Sequence, residues 1–314
     1  MPQSALREVE HEITVSAPAA AVYRLIADVV NWPQIFPPTI YVDHVERGAG
    51  SERIRIWATA NGEAKNWTSR RTLDHRARRI EFRQEISTPP VAAMGGAWIV
   101  EERDAGTSRV RLSHDYRAVD DDPASLEWID QAVDRNSRSE LAALKENIER
   151  AHATADLTFS FEDTVHIAGS VKDAYDFINE AQHWSERLPH VASVRLTEDT
   201  PGLQTLEMDT RAKDGSTHTT KSHRVCFPDR RIAYKQVTLP ALMILHTGLW
   251  TFEETGQGVA ATSRHTVVLN TANIAEVLGP DAGVDRARDY VRTALSTNSR
   301  ATLQHAKEYS EAKR

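Results

Sequence analysis

A short segment in the first half of the chain places three chemically useful side chains two residues apart. Residues 65–71 read KNWTSRR, so Trp67, Ser69 and Arg71 alternate with other residues. On a β-strand these side chains would share one face, as a column of an aromatic ring, a hydroxyl and a guanidinium. In an interior, the hydroxyl and guanidinium could donate hydrogen bonds to a carbonyl oxygen that becomes anionic. Arginine stays protonated near neutral pH, so Arg71 is expected to stabilise an oxyanion rather than to act as a base.

The second half of the chain repeats this spacing. Thr220, Ser222 and Arg224 also stand two residues apart, with Arg224 placed 153 residues after Arg71. A buried arginine without a partner is costly, so its repetition argues against simple packing. A solvated strand face is the alternative, because half-exposed sheets often carry such residues. Since Thr220 replaces the tryptophan, the first half is the stronger candidate for a catalytic site, and the second pocket is a candidate with less support.

An internal duplication surrounds both segments. Residues 11–37 align without gaps to residues 163–189. The offset of 152 residues also holds further along the chain, and the aligned pairs include Trp32 with Trp184 and Trp98 with Trp250. This period far exceeds the 20–50 residues of a solenoid repeat, so each half should be a domain with its own core. We expect one domain over residues 1–153 and another over residues 154–314.

Both halves predict the same order of elements. An alternating polar and apolar strand comes first, near residues 9–16 and 159–167. A short amphipathic helix, a break at a tryptophan and a run of short strands separated by turn residues follow. A long helix closes each half, and in the first half Asp122 can cap it with Pro123 as its first residue. The sequence therefore predicts an α+β fold, in which a curved antiparallel sheet of about seven strands wraps a long C-terminal helix, with two short helices after the first strand. We expect a cavity between helix and sheet.

Composition narrows the class of protein. The 314 residues carry a formal charge of −7, which argues against a general nucleic-acid binder because such proteins need a basic face. One cysteine excludes an intrachain disulfide and a zinc site made of several thiolates. No apolar run approaches the ~20 residues of a membrane-spanning helix, and the N-terminus lacks a signal-peptide pattern. We expect a cytoplasmic protein with no membrane or nucleic-acid partner, and we find no cofactor or metal motif.

The order of strand, short helices, Asn-Trp-Pro break, strands and long helix resembles the helix-grip fold of the START/Bet v 1-like superfamily. Two copies in a chain of this length resemble the di-domain aromatase/cyclases of bacterial type II polyketide synthases. The related monodomain enzymes are similar at Trp-x-Ser-x-Arg, which lines their pocket and carries over onto Trp67, Ser69 and Arg71. The resemblance implies catalytic roles for Arg71 and Ser69 and covers essentially the whole chain.

This resemblance implies a specific reaction. A poly-β-ketone has acidic methylenes between carbonyls, so an enolised carbon can attack a distant carbonyl in an aldol closure, and loss of water gives an aromatic ring. A shaped pocket would select one folded chain by positioning. For two-copy proteins the resemblance suggests first-ring closure, commonly between C7 and C12 of a reduced chain. It also implies an acyl carrier protein bearing the polyketide thioester, and other synthase subunits, as partners.

Further residues are candidates to line the two pockets. For each of them, plain core packing is an equally good interpretation. The first-domain candidates are Trp67, Trp32, Trp98, Phe36, Phe82, Met94 and Tyr116; those of the second domain are Arg224, Ser222, Thr220, Trp184 and Trp250.

Three groups are candidates for the general base: a water held by Ser69, the enol of the substrate, and Tyr116. His114 and His265 could donate protons, although a core or surface role is the better interpretation.

Other interpretations stay open. A carrier module for an apolar small molecule would use the same cavity without catalysis. The second domain could also be a structural pseudo-enzyme or an assembly factor in a synthase complex.

An acidic carrier protein could be attracted by basic residues at one end of the strands, although a solvated hairpin end explains them equally well. These residues are Arg70, Arg76, Arg78, Arg79, Arg230 and Arg231.

Overall fold

The computed structural model describes residues 6–60, 63–153, 157–211 and 217–313. The chain divides into two compact units, Met1–Ala155 and Asp156–Arg314. Residues 154–156, at the expected domain boundary, lie outside the described part of the chain. Each unit has the same architecture, and the predicted α+β fold of two tandem helix-grip domains is confirmed. None of the helices within these described ranges combines the length and the apolar character needed to cross a bilayer.

The first domain contains seven strands and three α-helices. Its strands are β1 (Arg7–Val15), β2 (Thr39–Arg47), β3 (Ser51–Ala60), β4 (Glu63–Asp74), β5 (Arg79–Gln84), β6 (Val91–Asp104) and β7 (Thr107–Ala118). Its helices are α1 (Ala19–Ala27), α2 (Trp32–Ile35) and α3 (Pro123–Ala153). The strands form one antiparallel sheet in the order β1-β7-β6-β5-β4-β3-β2. The two short helices after the first strand and the long closing helix match the sequence prediction.

The second domain repeats this plan with one added short helix. Its strands are β8 (Thr158–Ile167), β9 (Val191–Thr200), β10 (Leu203–Arg211), β11 (Thr217–Phe227), β12 (Arg231–Thr238), β13 (Met243–Thr255) and β14 (Gly258–Leu269). Its helices are α4 (Val171–Asn179), α5 (Trp184–Arg187), α6 (Ile274–Leu278) and α7 (Val284–Glu311). The sheet order is β8-β14-β13-β12-β11-β10-β9, the same path as in the first domain.

Local sequence explains where the long and short helices begin. The backbone N–H of Ser125 donates to Asp122 Oδ2 at 2.8 Å, and Pro123 starts α3, as the capping pattern predicts. In the second domain the N–H of Asp173 donates to Ser170 Oγ at 3.0 Å and caps α4. The equivalent start of α1 follows Pro18, which provides no side-chain cap. These caps fix the points at which the chain leaves the sheet to cross its inner face.

Each domain buries its own apolar core between the sheet and its helices. In the first domain one cluster joins Ile26 of α1, Trp98 of β6 and Leu144 of α3. The corresponding cluster of the second domain joins Ile178, Trp250 and Leu303. At roughly 1.5–3 kcal/mol for each fully buried large apolar side chain, these clusters provide the main favourable free energy that holds the helices against the sheets.

Two glycines allow the central strands to pack closely. A Cβ atom at Gly96 would lie 2.8 Å from Phe82 Cζ and 1.9 Å from the main-chain oxygen of Ser113. A Cβ atom at Gly248 would lie 2.1 Å from Tyr234 Cζ. The ring at position 82 or 234 therefore lies directly over a glycine on the next strand. This close approach leaves room for a large side chain in the middle of each inner sheet face.

Candidate functional site

A row of paired residues crosses the inner face of each sheet. Directly paired residues of antiparallel strands share a face. In the first domain the row runs Glu52, Arg71, Phe82, Gly96, His114 and Val9. In the second domain it runs Gln204, Arg224, Tyr234, Gly248, His265 and Phe161. The helices lie over this face, since Arg71 contacts α1 and His114 lies 3.4 Å from Ser137 of α3.

Arg71 is directed inward and is 1% exposed. Its Nη2 donates to the main-chain oxygen of Ile26 at 3.1 Å, near the C-terminal end of α1, where carbonyl groups carry partial negative charge. Nη1 lies 2.9 Å from Glu52 Oε1, an ion pair at an angle unsuited to a hydrogen bond. The guanidinium carbon lies 5.1 Å from the centre of the Trp32 ring. Burial lowers the pKa of Arg71 to about 10, with Glu52 opposing the shift, so the guanidinium stays charged near neutral pH.

The other two members of the column lie on the same strand as Arg71. Ser69 is buried, and its hydroxyl donates to the main-chain oxygen of Arg83 at 3.1 Å. This bond leaves the lone pairs of the Ser69 oxygen available as acceptors rather than its proton as a donor. Trp67 is half-buried and packs with Trp32 against the apolar cluster that includes Ile56. The column therefore exists, but its hydroxyl is already engaged by the sheet.

The second domain places Arg224 in the same way, but among its described residues no carboxylate forms an ion pair with Arg224, although the charge of Glu198 acts on it. Arg224 is 2% exposed, and its Nη2 donates to the main-chain oxygen of Ile178 at 2.6 Å. Its guanidinium carbon lies 5.4 Å from the ring centre of Trp184. Gln204 stands opposite Arg224, where Glu52 stands opposite Arg71. Among the described residues, Nη1 of Arg224 has no hydrogen-bond partner, so one face of this buried cation is available to a ligand oxygen.

Thr220 and Ser222 are buried on the strand that carries Arg224. The hydroxyl of Thr220 donates to the main-chain oxygen of Met208 at 3.4 Å. Trp250 is buried in the apolar cluster of this domain, which also contains Trp184. The fold of the second domain therefore brings Arg224 and Trp184 together, while Trp250 belongs to the packed core.

The remaining first-domain candidates fall into two groups. Trp98 and Phe36 are buried with ring centres 5.9 Å apart, and Phe36 also meets Trp32 at 5.5 Å. Phe82 and Met94 are half-buried near the middle of the sheet, and Phe82 lies 5.5 Å from His114, ring centre to ring centre. The first group is core packing around the inner helices. The second group keeps accessible surface and is better placed to meet a ligand.

Tyr116 is poorly suited to the role of a general base. Its hydroxyl donates to Asp130 Oδ1 of α3 at 2.5 Å. Burial and, next, this hydrogen bond raise the pKa of Tyr116 well above its usual value. The phenol therefore keeps its proton at neutral pH and ties the closing helix to the sheet.

Glu140 of α3 is a titratable group that the sequence motifs did not single out. Burial raises the pKa of its carboxyl to about 7, yet the side chain keeps part of its accessible surface. Desolvation of the carboxyl disfavours its charged form, and this is the cause of the raised pKa. Its place on α3, three residues after the buried Ser137 and four before the buried Leu144, is the sequence signal that could have identified it.

Two open pockets are found in the described part of the second domain. One, of about 360 Å³, lies between β8 and α7 and includes Phe161, Asp163 and Arg292 in its lining. The other, of about 310 Å³, lies at the start of α4 and includes Ser170 and Phe252. None of the predicted site residues lines either pocket, so their part in a binding cavity stays a prediction.

Three of the six arginines expected to attract an acidic partner are paired with surface carboxylates. Arg70 lies 3.0 Å from Glu85, and Arg79 lies 2.9 Å from Glu81. Arg78 lies 3.6 Å from Glu102. Because these pairs offset the positive charge locally, this end of the sheet is not a simple basic patch.

Both halves of the chain match the same known protein family. The family model described as polyketide cyclase / dehydrase and lipid transport matches residues 7–149 and again residues 158–311. The chain belongs to this family. The double match also reproduces the internal duplication.

Two curated relatives cover nearly the whole chain. The granaticin polyketide synthase bifunctional cyclase/dehydratase of Streptomyces virginiae is 59% identical over 94% of this chain and 97% of its own length. The actinorhodin polyketide synthase bifunctional cyclase/dehydratase of Streptomyces coelicolor is 47% identical over 95% of both chains. The resemblance to polyketide cyclases inferred from the sequence is confirmed by these matches.

Solved structures agree with the tandem architecture. The di-domain ARO/CYC BexL from the BE-7585A biosynthetic pathway is 68% identical to this chain. The match has a TM-score of 0.92 and covers 97% of this chain and 99% of BexL. The di-domain ARO/CYC StfQ from the steffimycin biosynthetic pathway is 34% identical, with a TM-score of 0.89 over 97% and 99% of the two chains. Both are full-length matches, so these two relatives share the two-domain fold of this chain.

Proposed function

We propose that this chain folds a carrier-bound poly-β-ketone in an internal pocket and catalyses regiospecific closure and dehydration of the first ring. The observation that carries the proposal is the buried, charged guanidinium on the inner face of each sheet, in a family whose relatives are named cyclase/dehydratases. The proposed ring closure joins C7 and C12. The proposed partners are an acyl carrier protein that delivers the thioester and the other synthase subunits.

The chemistry assigned to the guanidinium is stabilisation of negative charge. When an enolised carbon attacks a ketone, the ketone oxygen becomes an alkoxide, and a fixed cation in a poorly solvated interior lowers the energy of that state. Arg224 has a free Nη1 for such an oxygen. Arg71 shares its charge with Glu52, so in the first domain it is suited to hold a neutral carbonyl in place.

The decisive experiment adds the purified protein to a minimal type II polyketide synthase and measures the products by mass spectrometry. The wild-type chain is expected to convert a mixture of spontaneous products into one aromatic product. An unchanged product profile would contradict the cyclase assignment. Tight binding of a polyketide analogue without any change in products would instead indicate a carrier module.

Arginine variants assign the reaction to the domains. Removing Arg71 alone would leave the buried Glu52 without its arginine, with His44 Nε2 still 3.0 Å from Glu52 Oε2. The test therefore uses Arg71→Met with Glu52→Gln, and Arg224→Met for the second domain. Loss of the Arg224 oxyanion donor is expected to lower the yield of aromatic product on the order of 100-fold. Loss of the Arg71 guanidinium, which would position a carbonyl, is expected to lower the yield as well. Arg70→Met, on the exposed face of the same strand as Arg71, is the control and should retain full activity.

A further inference from the structure

The two domains differ at two positions on the inner face, and both lie next to a histidine that the domains share. Phe82 and Met94 of the first domain correspond to Tyr234 and His246 of the second, each pair 152 residues apart. His114 and His265 occupy the same place in the row, because they pair with Gly96 and Gly248 respectively. The second domain therefore has a phenol and a second imidazole where the first has groups that cannot transfer protons.

These side chains form a connected hydrogen-bonding cluster. His246 Nε2 lies 2.9 Å from His265 Nδ1, and His246 Nδ1 lies 2.8 Å from Gln236 Oε1. The Tyr234 hydroxyl lies 3.2 Å from His265 Nδ1, and Ser263 Oγ lies 3.1 Å from His265 Nε2. Burial lowers the pKa of His265 to about 4 and that of His246 well below its usual value, so both rings are neutral near pH 7.

The neutral rings fix the positions of the protons. With its oxygen toward His246, Gln236 can only accept, so His246 carries its proton on Nδ1 and its Nε2 accepts from His265. The Nδ1–H of His265 therefore points at both His246 Nε2 and the Tyr234 oxygen. Tyr234 can only accept from this N–H, and its own proton remains free to be donated, since no other partner of its hydroxyl is found in the described ranges.

Tyr234 is placed to meet a ligand inside the domain. Burial raises the pKa of Tyr234, and its side chain, half-buried on the inner face of the sheet, keeps accessible surface that a ligand there could contact. Arg224 is its direct neighbour across the strands, with a free Nη1, and its positive charge favours the phenolate. On the other side, the ring of His265 stacks at 4.9 Å on Phe161, which lines the pocket of about 360 Å³.

We propose that Tyr234 of the second domain is the proton-transfer residue for loss of water from the cyclised β-hydroxy ketone, with His265 and His246 as positioning residues. This rests on the proposed function. The proton of the Tyr234 hydroxyl passes to the leaving hydroxyl as the carbon–oxygen bond breaks. The phenolate, held by the His265 N–H and by Arg224, takes the proton from the adjacent carbon, whose electron pair forms the new double bond. One water leaves and the enzyme returns to its starting state.

The test uses substitutions that the fold already tolerates in its other half. Tyr234→Phe and His246→Met give the second domain the residues found at the equivalent positions of the first. In the minimal-synthase reaction, Tyr234→Phe is expected to lower the ratio of dehydrated aromatic product to cyclised, hydroxylated product at least 10-fold while total cyclised product stays unchanged. His246→Met should shift this ratio in the same direction by a smaller factor.

The control is Tyr175→Phe, which removes a different buried phenol of the same domain, one whose hydroxyl contacts Asn179 at 3.4 Å. This variant should keep the wild-type ratio, and thermal melting of all variants checks that the fold is intact. A wild-type ratio in Tyr234→Phe overturns the inference even when the wild-type protein cyclises the chain. Absence of cyclised product with the wild-type protein would instead contradict the proposed function itself.

Discussion

At the scale of single residues, the two inner faces differ in how charge is balanced. The inward arginine of the first domain forms an ion pair with Glu52, whereas an amide residue, Gln204, stands opposite the inward arginine of the second. A paired guanidinium is expected to hold a neutral group, whereas an unpaired one is suited to an anion. One substitution thus changes what the same scaffold can stabilise.

Glu140 provides a pH-dependent prediction at this scale. Because burial raises its folded-state pKa to about 7, above the unfolded value of 4.5, its contribution favours folding below about pH 4.5 and is lost as the pH rises through 7. Glu140→Gln should therefore stabilise the protein at pH 8 by about 2–3 kcal/mol relative to wild type, with little difference at pH 4. Thermal or urea unfolding at both pH values measures this difference.

The matched control is Glu146→Gln, an exposed glutamate of the same helix that pairs with Arg150. That variant should change stability by less than about 0.5 kcal/mol at either pH. If Glu140→Gln gave the same small change at pH 8 as at pH 4, the carboxyl would be solvated rather than enclosed.

At the scale of elements, the closing helices are fastened to the first strand of each sheet by different polar contacts. Asp163 of β8 accepts hydrogen bonds from Ser296 Oγ at 2.9 Å, Ser299 Oγ at 3.2 Å and Arg300 Nε at 2.6 Å of α7. The equivalent residue of β1, His11, meets Asp134 of α3 at 2.9 Å. Both contacts fix how the long helix lies along the edge of the sheet.

Asp163→Asn should loosen this attachment. Burial tends to raise the pKa of Asp163, but the hydrogen bonds from α7 outweigh it and lower the pKa, so the carboxylate stabilises the fold at neutral pH and loses this effect as the pH falls below about 4. We expect the free energy of unfolding to fall by about 2 kcal/mol at pH 7, measured by urea unfolding, and by less at pH 3.

The control is Asp289→Asn, an exposed residue of α7, which should leave the free energy of unfolding unchanged. An equal effect of both variants would contradict the role of Asp163 in attaching α7 to β8.

At the scale of the whole molecule, the duplicated domains have separate cores. The apolar clusters among the described residues each lie within one domain. Each domain should therefore unfold as a unit with its own stability.

Equally buried leucines on the closing helices test this independence. Leu144→Ala and Leu303→Ala should each cost about 2–5 kcal/mol through the cavity left behind. In differential scanning calorimetry of the full chain, Leu144→Ala should lower one transition and Leu303→Ala the other. A shift of both transitions by either variant would show that the domains unfold together.

The sequence by itself predicted the duplication, the main order of elements and the shared strand face of each arginine column, because strand and helix periods are local properties of the chain. It left open whether that face is directed inward or to solvent. Only the tertiary structure decided what these side chains meet. Strand register places Glu52 and Gln204 opposite the arginines, and His246 joins His265 and Tyr234 across three strands. Such contacts depend on which strands pair, and on residue differences between two similar domains, so no local pattern could have predicted them.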